Sequence, residues 1–183
     1  MPEASESERI AVVLAGHGVP ANDCPPELVG EMMGLEWRKG GPGDAETQQR
    51  IHARVKELDA KIRNWPRDNG NDPYRDGLEE LAEVFKPLLP GTMFAIGYNE
   101  FCAPSVPEAI ESVIQAGATR VLVVPTMMTP GGVHSEKDIP REIEKMRQSY
   151  PEVQLDYVWP FELKDVAVLL STHVQKKLKR GSS

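Results

Sequence analysis

Four short segments of the chain are almost continuously apolar and rich in branched side chains. They lie at residues 10–15, 92–98, 120–126 and 153–160. Runs of this length are typical of parallel strands that are covered on both faces. Apolar residues at helical spacing follow the last three segments, at positions 106–114, 139–146 and 163–174. This alternation predicts an α/β fold in which helices flank an open parallel sheet of about four strands.

The connection between the first two predicted strands is unusually long, because it extends from Gly16 to Gly91. Its first part, residues 20–43, is rich in proline and glycine and is predicted to be irregular. Apolar spacing then predicts a helix over residues 45–64 and a second amphipathic helix from Leu78 to Leu88. One crossover helix is enough for this fold. We therefore interpret residues 1–183 as a single domain with an insertion at about 20–90, and such insertions often form lids or partner surfaces.

Composition narrows the class of protein. The 183 residues weigh 20.3 kDa, and 40% of them are hydrophobic, which suits one domain with a core. The net charge of −7 and the aromatic content of 6% argue against binding to nucleic acid. Cys24 and Cys102 match no disulfide or zinc pattern and are predicted to be reduced core thiols. No apolar stretch reaches the roughly 18 residues of a membrane span, so we expect a cytoplasmic protein.

Three side chains suited to metal binding follow the first three predicted strands. They are His17, Glu100 and His134. The carboxyl ends of parallel strands form the usual ligand-binding edge of such a sheet. Two imidazoles and one carboxylate suit a divalent ion such as Fe²⁺, Co²⁺, Ni²⁺ or Zn²⁺, and three ligands leave positions open for a substrate. A lone histidine or glutamate here is more often a turn, cap or solvated loop residue, so the prediction rests on the combination. His52 and His173 lie on predicted helices and are interpreted as surface residues.

Three motifs resemble the small sirohydrochlorin chelatases, the class II or CbiX-type enzymes that are related to ferrochelatase. The motifs are Gly16-His17-Gly18, residues 100–109 (EFCAPSVPEA) and residues 130–140 (PGGVHSEKDIP). The resemblance implies a chelatase-like, flavodoxin-like fold and the insertion of Co²⁺, Fe²⁺ or Ni²⁺ into sirohydrochlorin or a related tetrapyrrole. It also implies that His17 and His134 are catalytic histidines and that Glu100 helps them to hold the metal.

The proposed chemistry agrees with these residue types. An imidazole, whose reference pKa is about 6.5, is able both to hold the ion and to accept a proton from the macrocycle near neutral pH. Because the ion must be released, we expect a metal that is a substrate and no permanently bound cofactor. The chain has one copy of the motifs, whereas longer relatives have two halves facing a cleft. We therefore expect a homodimer, with the insertion as lid or dimer contact.

Several interpretations stay open at this stage. Val19-Pro20 stands where family members commonly have serine, and the acidic charge does not favour a polycarboxylate substrate unless Arg38, Lys39 and Arg50 supply cations. The alternative is therefore a non-catalytic protein of the same fold that binds or delivers a metal or tetrapyrrole. A histidine phosphatase is disfavoured because Gly16 replaces the arginine expected before its histidine.

Milder predictions concern residues around the motifs. Met127, Met128 and Pro130 are candidates for an apolar wall against a tetrapyrrole, although methionine at a strand end is more often part of a core. Ser105 and Asp138 are predicted to cap the helices that follow them.

Overall fold

The computed structural model describes residues 8–68 and 70–180. Its centre is a four-stranded parallel sheet in the order β2-β1-β3-β4. The strands are β1 (Ile10–Gly16), β2 (Met93–Tyr98), β3 (Arg120–Pro125) and β4 (Gln154–Tyr157). All four predicted strands are confirmed, although β4 ends at Tyr157, short of the predicted residue 160.

The central position of β1 follows from its sequence, because six of its seven residues are buried and none carries a charge. Gly16 pairs with Tyr98 of β2, and Ala15 pairs with Pro125 of β3. The carboxyl ends of the three strands are thus level with one another. The loops that follow them emerge together at one edge of the sheet.

Three helices cover the two faces of the sheet. Helices α4 (Val106–Gln115) and α5 (Ile139–Ser149) pack their apolar faces on one side, and α3 (Pro73–Phe85) packs Leu78 and Ala82 on the other. Ser105 begins α4 with a capping box to Glu108, so its predicted role is confirmed. The buried cysteines are free thiols, as predicted.

The first two helices of the insertion share a small core of their own. Helix α2 (Ala45–Arg63) matches the predicted helix and buries Ile51, Val55, Leu58 and Ile62. The prediction of irregular structure over residues 20–43 is wrong for α1 (Pro26–Glu36). Proline is tolerated in a first helical turn, and the apolar side of α1 packs against α2, which outweighs the low helix propensity of its two glycines.

The last helix, α6 (Leu163–Arg180), forms where the apolar spacing predicts it, but none of its residues is buried. Its exposed apolar side chains include Leu163, Leu170 and Val174. Within the described residues, no helix combines the length and apolarity needed to cross a membrane.

Candidate metal centre

The three predicted ligands meet at the carboxyl edge of the sheet. His17, Glu100 and His134 each offer a ligand atom, and these atoms lie within 4.8 Å of one another. The two imidazole rings are 4.6 Å apart between centroids and nearly perpendicular, and His134 Nδ1 lies 3.9 Å from Glu100 Oε1. Ligands at about 2.1 Å from a shared ion lie at most about 4.2 Å apart. Small side-chain rotations are therefore enough to bring the three groups onto one ion.

Hydrogen bonds orient His17 from both sides. Its backbone N–H donates to the hydroxyl of Tyr74 on α3 at 2.7 Å, which fixes the main chain after β1. Its ring atom Nδ1 lies 2.6 Å from the carbonyl oxygen of Gly18. Since a carbonyl only accepts, Nδ1 carries the proton, and Nε2 keeps its lone pair for a metal ion.

Gly18 allows the loops after β1 and β2 to touch. Its φ of +87° lies in the left-handed region, and a Cβ at this position would come within 1.8 Å of the Glu100 carbonyl oxygen. The backbone N–H of Glu100 donates to the carbonyl of His17 at 2.8 Å. The glycine beside the first histidine is therefore needed to place Glu100 next to His17.

His134 is oriented by Asp138, one helical turn further along the chain. Its Nδ1 is 2.8 Å from Asp138 Oδ2 and 2.9 Å from the side-chain amide of Asn99. The carboxylate only accepts, so Nδ1 carries the proton that it donates to Asp138, and Asn99, whose Nδ2 faces the same ring atom, receives no hydrogen bond from it in that tautomer. A histidine held in this way by a carboxylate has Nε2 available for a metal. The predicted capping role of Asp138 is wrong, because its side chain makes no cap hydrogen bond and instead contacts His134 and Arg141.

Comparison with known proteins identifies the family. The model of the CbiX family matches residues 70–173, which is more than half of the chain. The chain belongs to the CbiX family. Glu100 and His134 lie within the matched residues, whereas His17 precedes them and joins the centre through the pairing of β1 with β2.

Individual relatives support this membership over shorter stretches. The chain is 37% identical over 81 residues to the sirohydrochlorin ferrochelatase of Priestia megaterium, which covers 44% of this chain and 30% of that protein. It is 39% identical over 70 residues to the sirohydrochlorin cobaltochelatase of Methanocaldococcus jannaschii, which covers 38% of this chain and 48% of that protein. The matched stretches thus span less than half the length of these curated relatives.

A solved structure shows that the fold extends beyond the aligned motifs. A CbiX protein from Marinobacter aquaeolei VT8 superposes with a TM-score of 0.57 at 17% identity, covering 96% of this chain and 100% of the other. The predicted parallel sheet with flanking helices is therefore confirmed as the chelatase-like fold of the CbiX family.

A cleft of about 830 Å³, within the size range of pockets that take organic ligands, is lined by Glu100, one of the three predicted ligands. The insertion forms one wall through α1 and α2, while the other is formed by Asn99, Glu100 and the first turns of α4 and α5. Of the three cations suggested by the sequence, Lys39 lines the cleft, but Arg38 and Arg50 do not. The methionine wall is also absent from the lining; Met127 packs against the core of the sheet.

Several residues around the centre were not found by sequence reasoning. Asp138 had a usable signal, because it stands four residues after His134 and such pairs share one face of a helical turn. No such signal was available for Asn99 and Tyr74, because the histidines that they contact are distant in the sequence. His52 and His173 are exposed and lie outside the trio, although His52 borders the cleft.

Proposed function

We propose that this protein is a metal chelatase that inserts Co²⁺, Fe²⁺ or Ni²⁺ into sirohydrochlorin or a closely related tetrapyrrole. The observation that carries the proposal is the convergence of His17, Glu100 and His134 beside a large cleft. Relatives over the motif region are named sirohydrochlorin ferrochelatase and cobaltochelatase. The metal is a substrate here, and a three-ligand site suits an ion that must be released again.

In this proposal His17 and His134 are the catalytic residues, and they share the ion with Glu100. Metallation removes two protons from the inner nitrogens of the macrocycle while the ion exchanges protein ligands for those nitrogens. When the ion leaves, the two Nε2 lone pairs become free to accept these protons. Asp138 stabilises the positive charge that results on the His134 ring, because its carboxylate already accepts a hydrogen bond from Nδ1.

The second candidate is a carrier that binds metal or tetrapyrrole without catalysing metallation. One observation favours a carrier of metal, because the cleft is lined by more acidic than basic side chains. The acidic residues are Glu36, Asp59, Glu100, Glu108, Asp138 and Glu142, and the basic ones are Lys39, Lys56, Arg63 and Arg141. Such a lining is less favourable for a substrate with several carboxylates than a basic one would be.

The deciding experiment measures metallation of sirohydrochlorin by absorbance, with Co²⁺, Fe²⁺ and Ni²⁺ in parallel. We expect faster metallation with the protein than with free metal, and near-complete loss of this enhancement in His134→Ala. Gln148→Ala is the control, because that side chain is exposed on α5 and does not line the cleft. Binding of the macrocycle without any rate enhancement would support the carrier. Normal rates in His134→Ala would remove the proposed site.

We also propose that the protein works as a homodimer. A single chain has one set of ligands and leaves one side of a flat macrocycle uncovered, and α6 exposes its apolar side chains along its full length. An isolated helix of this length gains little stability without tertiary packing, so a second copy is a fitting partner for α6. Light scattering is expected to give twice the 20.3 kDa chain mass, and Leu170→Glu is expected to lower it. A monomeric mass for the unmodified protein would contradict the dimer.

The remaining proposals concern organisation and location. We propose that residues 1–183 form one domain with an insertion at about 20–90, because Phe101 of the sheet edge is buried in the core of the inserted helices. We further propose that the protein is cytoplasmic, since its two cysteines are free thiols.

A further inference from the structure

The loop that carries Glu100 has its backbone carbonyls bound by two arginines of the insertion. Arg63, the last residue of α2, donates from Nη1 to the Cys102 carbonyl at 2.9 Å and from Nη2 to the Asn99 carbonyl at 2.7 Å. Arg67 donates from Nη2 to the Phe101 carbonyl. The carbonyls on both sides of Glu100 are thus held by guanidinium groups, while its own N–H is bound to the loop after β1.

Both guanidinium groups are themselves held in place. Arg63 makes a two-oxygen contact with Asp59 on the same helix, with Nε at 2.8 Å and 3.0 Å from the carboxylate oxygens. The Arg67 side chain is 4% exposed and pairs at 2.7 Å with Asp72, whose side chain is 1% exposed. Fixed donors of this kind hold a loop more firmly than exposed, flexible side chains, because little side-chain entropy is lost when each hydrogen bond forms.

Phe101 attaches the same loop to the insertion by a different force. Its φ of +55° lies in the left-handed region, and its ring is 8% exposed, packed among apolar side chains of α1 and α2. This backbone conformation costs free energy in a non-glycine residue and persists only where the surroundings hold it. The insertion therefore contacts the Glu100 loop through both carbonyl hydrogen bonds and an apolar anchor.

From these contacts we propose that Arg63 and Arg67 are positioning residues for Glu100 and that the insertion acts as a brace for the metal centre. Neither arginine touches the metal in this role, although Arg63 also lines the cleft. They hold the carboxylate at the distance from His17 and His134 that one ion requires. This inference rests on Glu100 being a metal ligand, as proposed above.

The test measures Co²⁺ binding to the full-length protein by calorimetry, with no tetrapyrrole present. Arg63→Met is expected to weaken binding about tenfold, the lower end of what is usual when the support of a metal ligand is removed. Asp59 is partly exposed and stays solvated, so this variant is expected to fold. Arg54→Met is the matched control on the same helix, because Arg54 pairs with Glu31 and Glu57 away from the loop. It is expected to bind Co²⁺ like the wild type.

A double-mutant cycle separates positioning from a general structural effect. In a Glu100→Gln background, Arg63→Met is expected to change Co²⁺ affinity less than twofold, because the carboxylate that it positions is already gone. If Arg63→Met lowered Co²⁺ affinity by the same factor in both backgrounds, the proposal would be overturned. Wild-type affinity in Arg63→Met, or in Glu100→Gln alone, would also overturn it.

Hydrogen exchange gives a readout that does not depend on the metal. Arg63→Met is expected to speed amide exchange several-fold in residues 98–103 and to leave α4 unchanged. The brace would be contradicted if residues 98–103 exchanged at the same rate in Arg63→Met as in the wild type. A protein that binds Co²⁺ and shows these effects but never metallates sirohydrochlorin would refute the chelatase function and leave the brace intact.

Discussion

In the sheet, β1 buries six of its seven residues, whereas α2 of the insertion buries four of its nineteen and α1 buries Met32 alone. Burial of apolar surface provides most of the stability of the sheet, so a change at one polar position lowers that stability little. The insertion has much less of this area and depends on buried polar contacts at its junction with the sheet. The proposed metal centre lies where these two regions meet, so we expect it to be most sensitive to residues that link them.

The largest expected effect comes from the buried ion pair at this junction. Asp72→Asn leaves the Arg67 guanidinium buried without its counter-ion, which typically costs about 3–5 kcal/mol of unfolding free energy. Asparagine is still able to cap α3, so the change tests the charge rather than the cap. Urea unfolding measures the loss. Glu31→Gln, which breaks the exposed pair with Arg54, is the control and is expected to cost less than about 1 kcal/mol.

The pH dependence of this pair has a definite sign. Burial pushes the pKa of Asp72 upwards, but hydrogen bonds from the Arg75 backbone, Cys102 and Arg67 outweigh it and lower the pKa below its usual value. The pair therefore contributes fully above the unfolded pKa of about 3.9, and its contribution is lost as the pH falls through the folded pKa. The stability difference between wild type and Asp72→Asn is expected to shrink below about pH 4. A difference that stays constant there would contradict this assignment.

A second prediction concerns the close approach of two strand-end loops. Gly18→Ala puts a methyl group on top of the Glu100 carbonyl at a left-handed φ, so we expect a loss of about 2 kcal/mol or more in unfolding free energy, together with weaker Co²⁺ binding. Gly131→Ala is the matched control, with a similar φ of +95° and open space around the new methyl group. Equal losses in both variants would show that backbone strain, and not contact between the loops, determines the effect.

These residues show how far the sequence could predict the centre. Parallel strands end at one edge, so His17, Glu100 and His134 were expected to be neighbours from their positions after strands. The supporting residues could not be found in the same way. Arginines on an amphipathic helix or in a polar turn usually face solvent, and nothing in the sequence around Arg63 and Arg67 distinguishes them from Arg54. Helix α1 was missed because its glycines and prolines indicate irregular structure. Its apolar side packs against another helix, and the sequence does not reveal that contact.

A third prediction tests the hydrogen bond by which Asp138 orients His134. Asp138→Asn removes the carboxylate that accepts from Nδ1, so the ring loses both orientation and basicity. We expect Co²⁺ affinity to fall by about 10–100-fold with little change in unfolding free energy. Glu142→Gln, on the helix that follows Asp138 and paired with Lys145, is the control. Unchanged affinity in Asp138→Asn would mean that Asn99 alone is enough to orient His134.

The smallest expected effect lies on the exposed side of α1. Gly30 is exposed within the helix and a Cβ there would meet no atom within 4 Å, so Gly30→Ala is expected to stabilise the protein by about 0.5–1 kcal/mol. Gly34→Ala has the same surroundings and serves as an independent repeat. Co²⁺ affinity is expected to stay unchanged in both, because neither glycine lines the cleft or belongs to the apolar cluster that holds Phe101. Destabilisation by both alanines would instead indicate that this side of α1 is covered in the assembled protein, where a methyl group has no room.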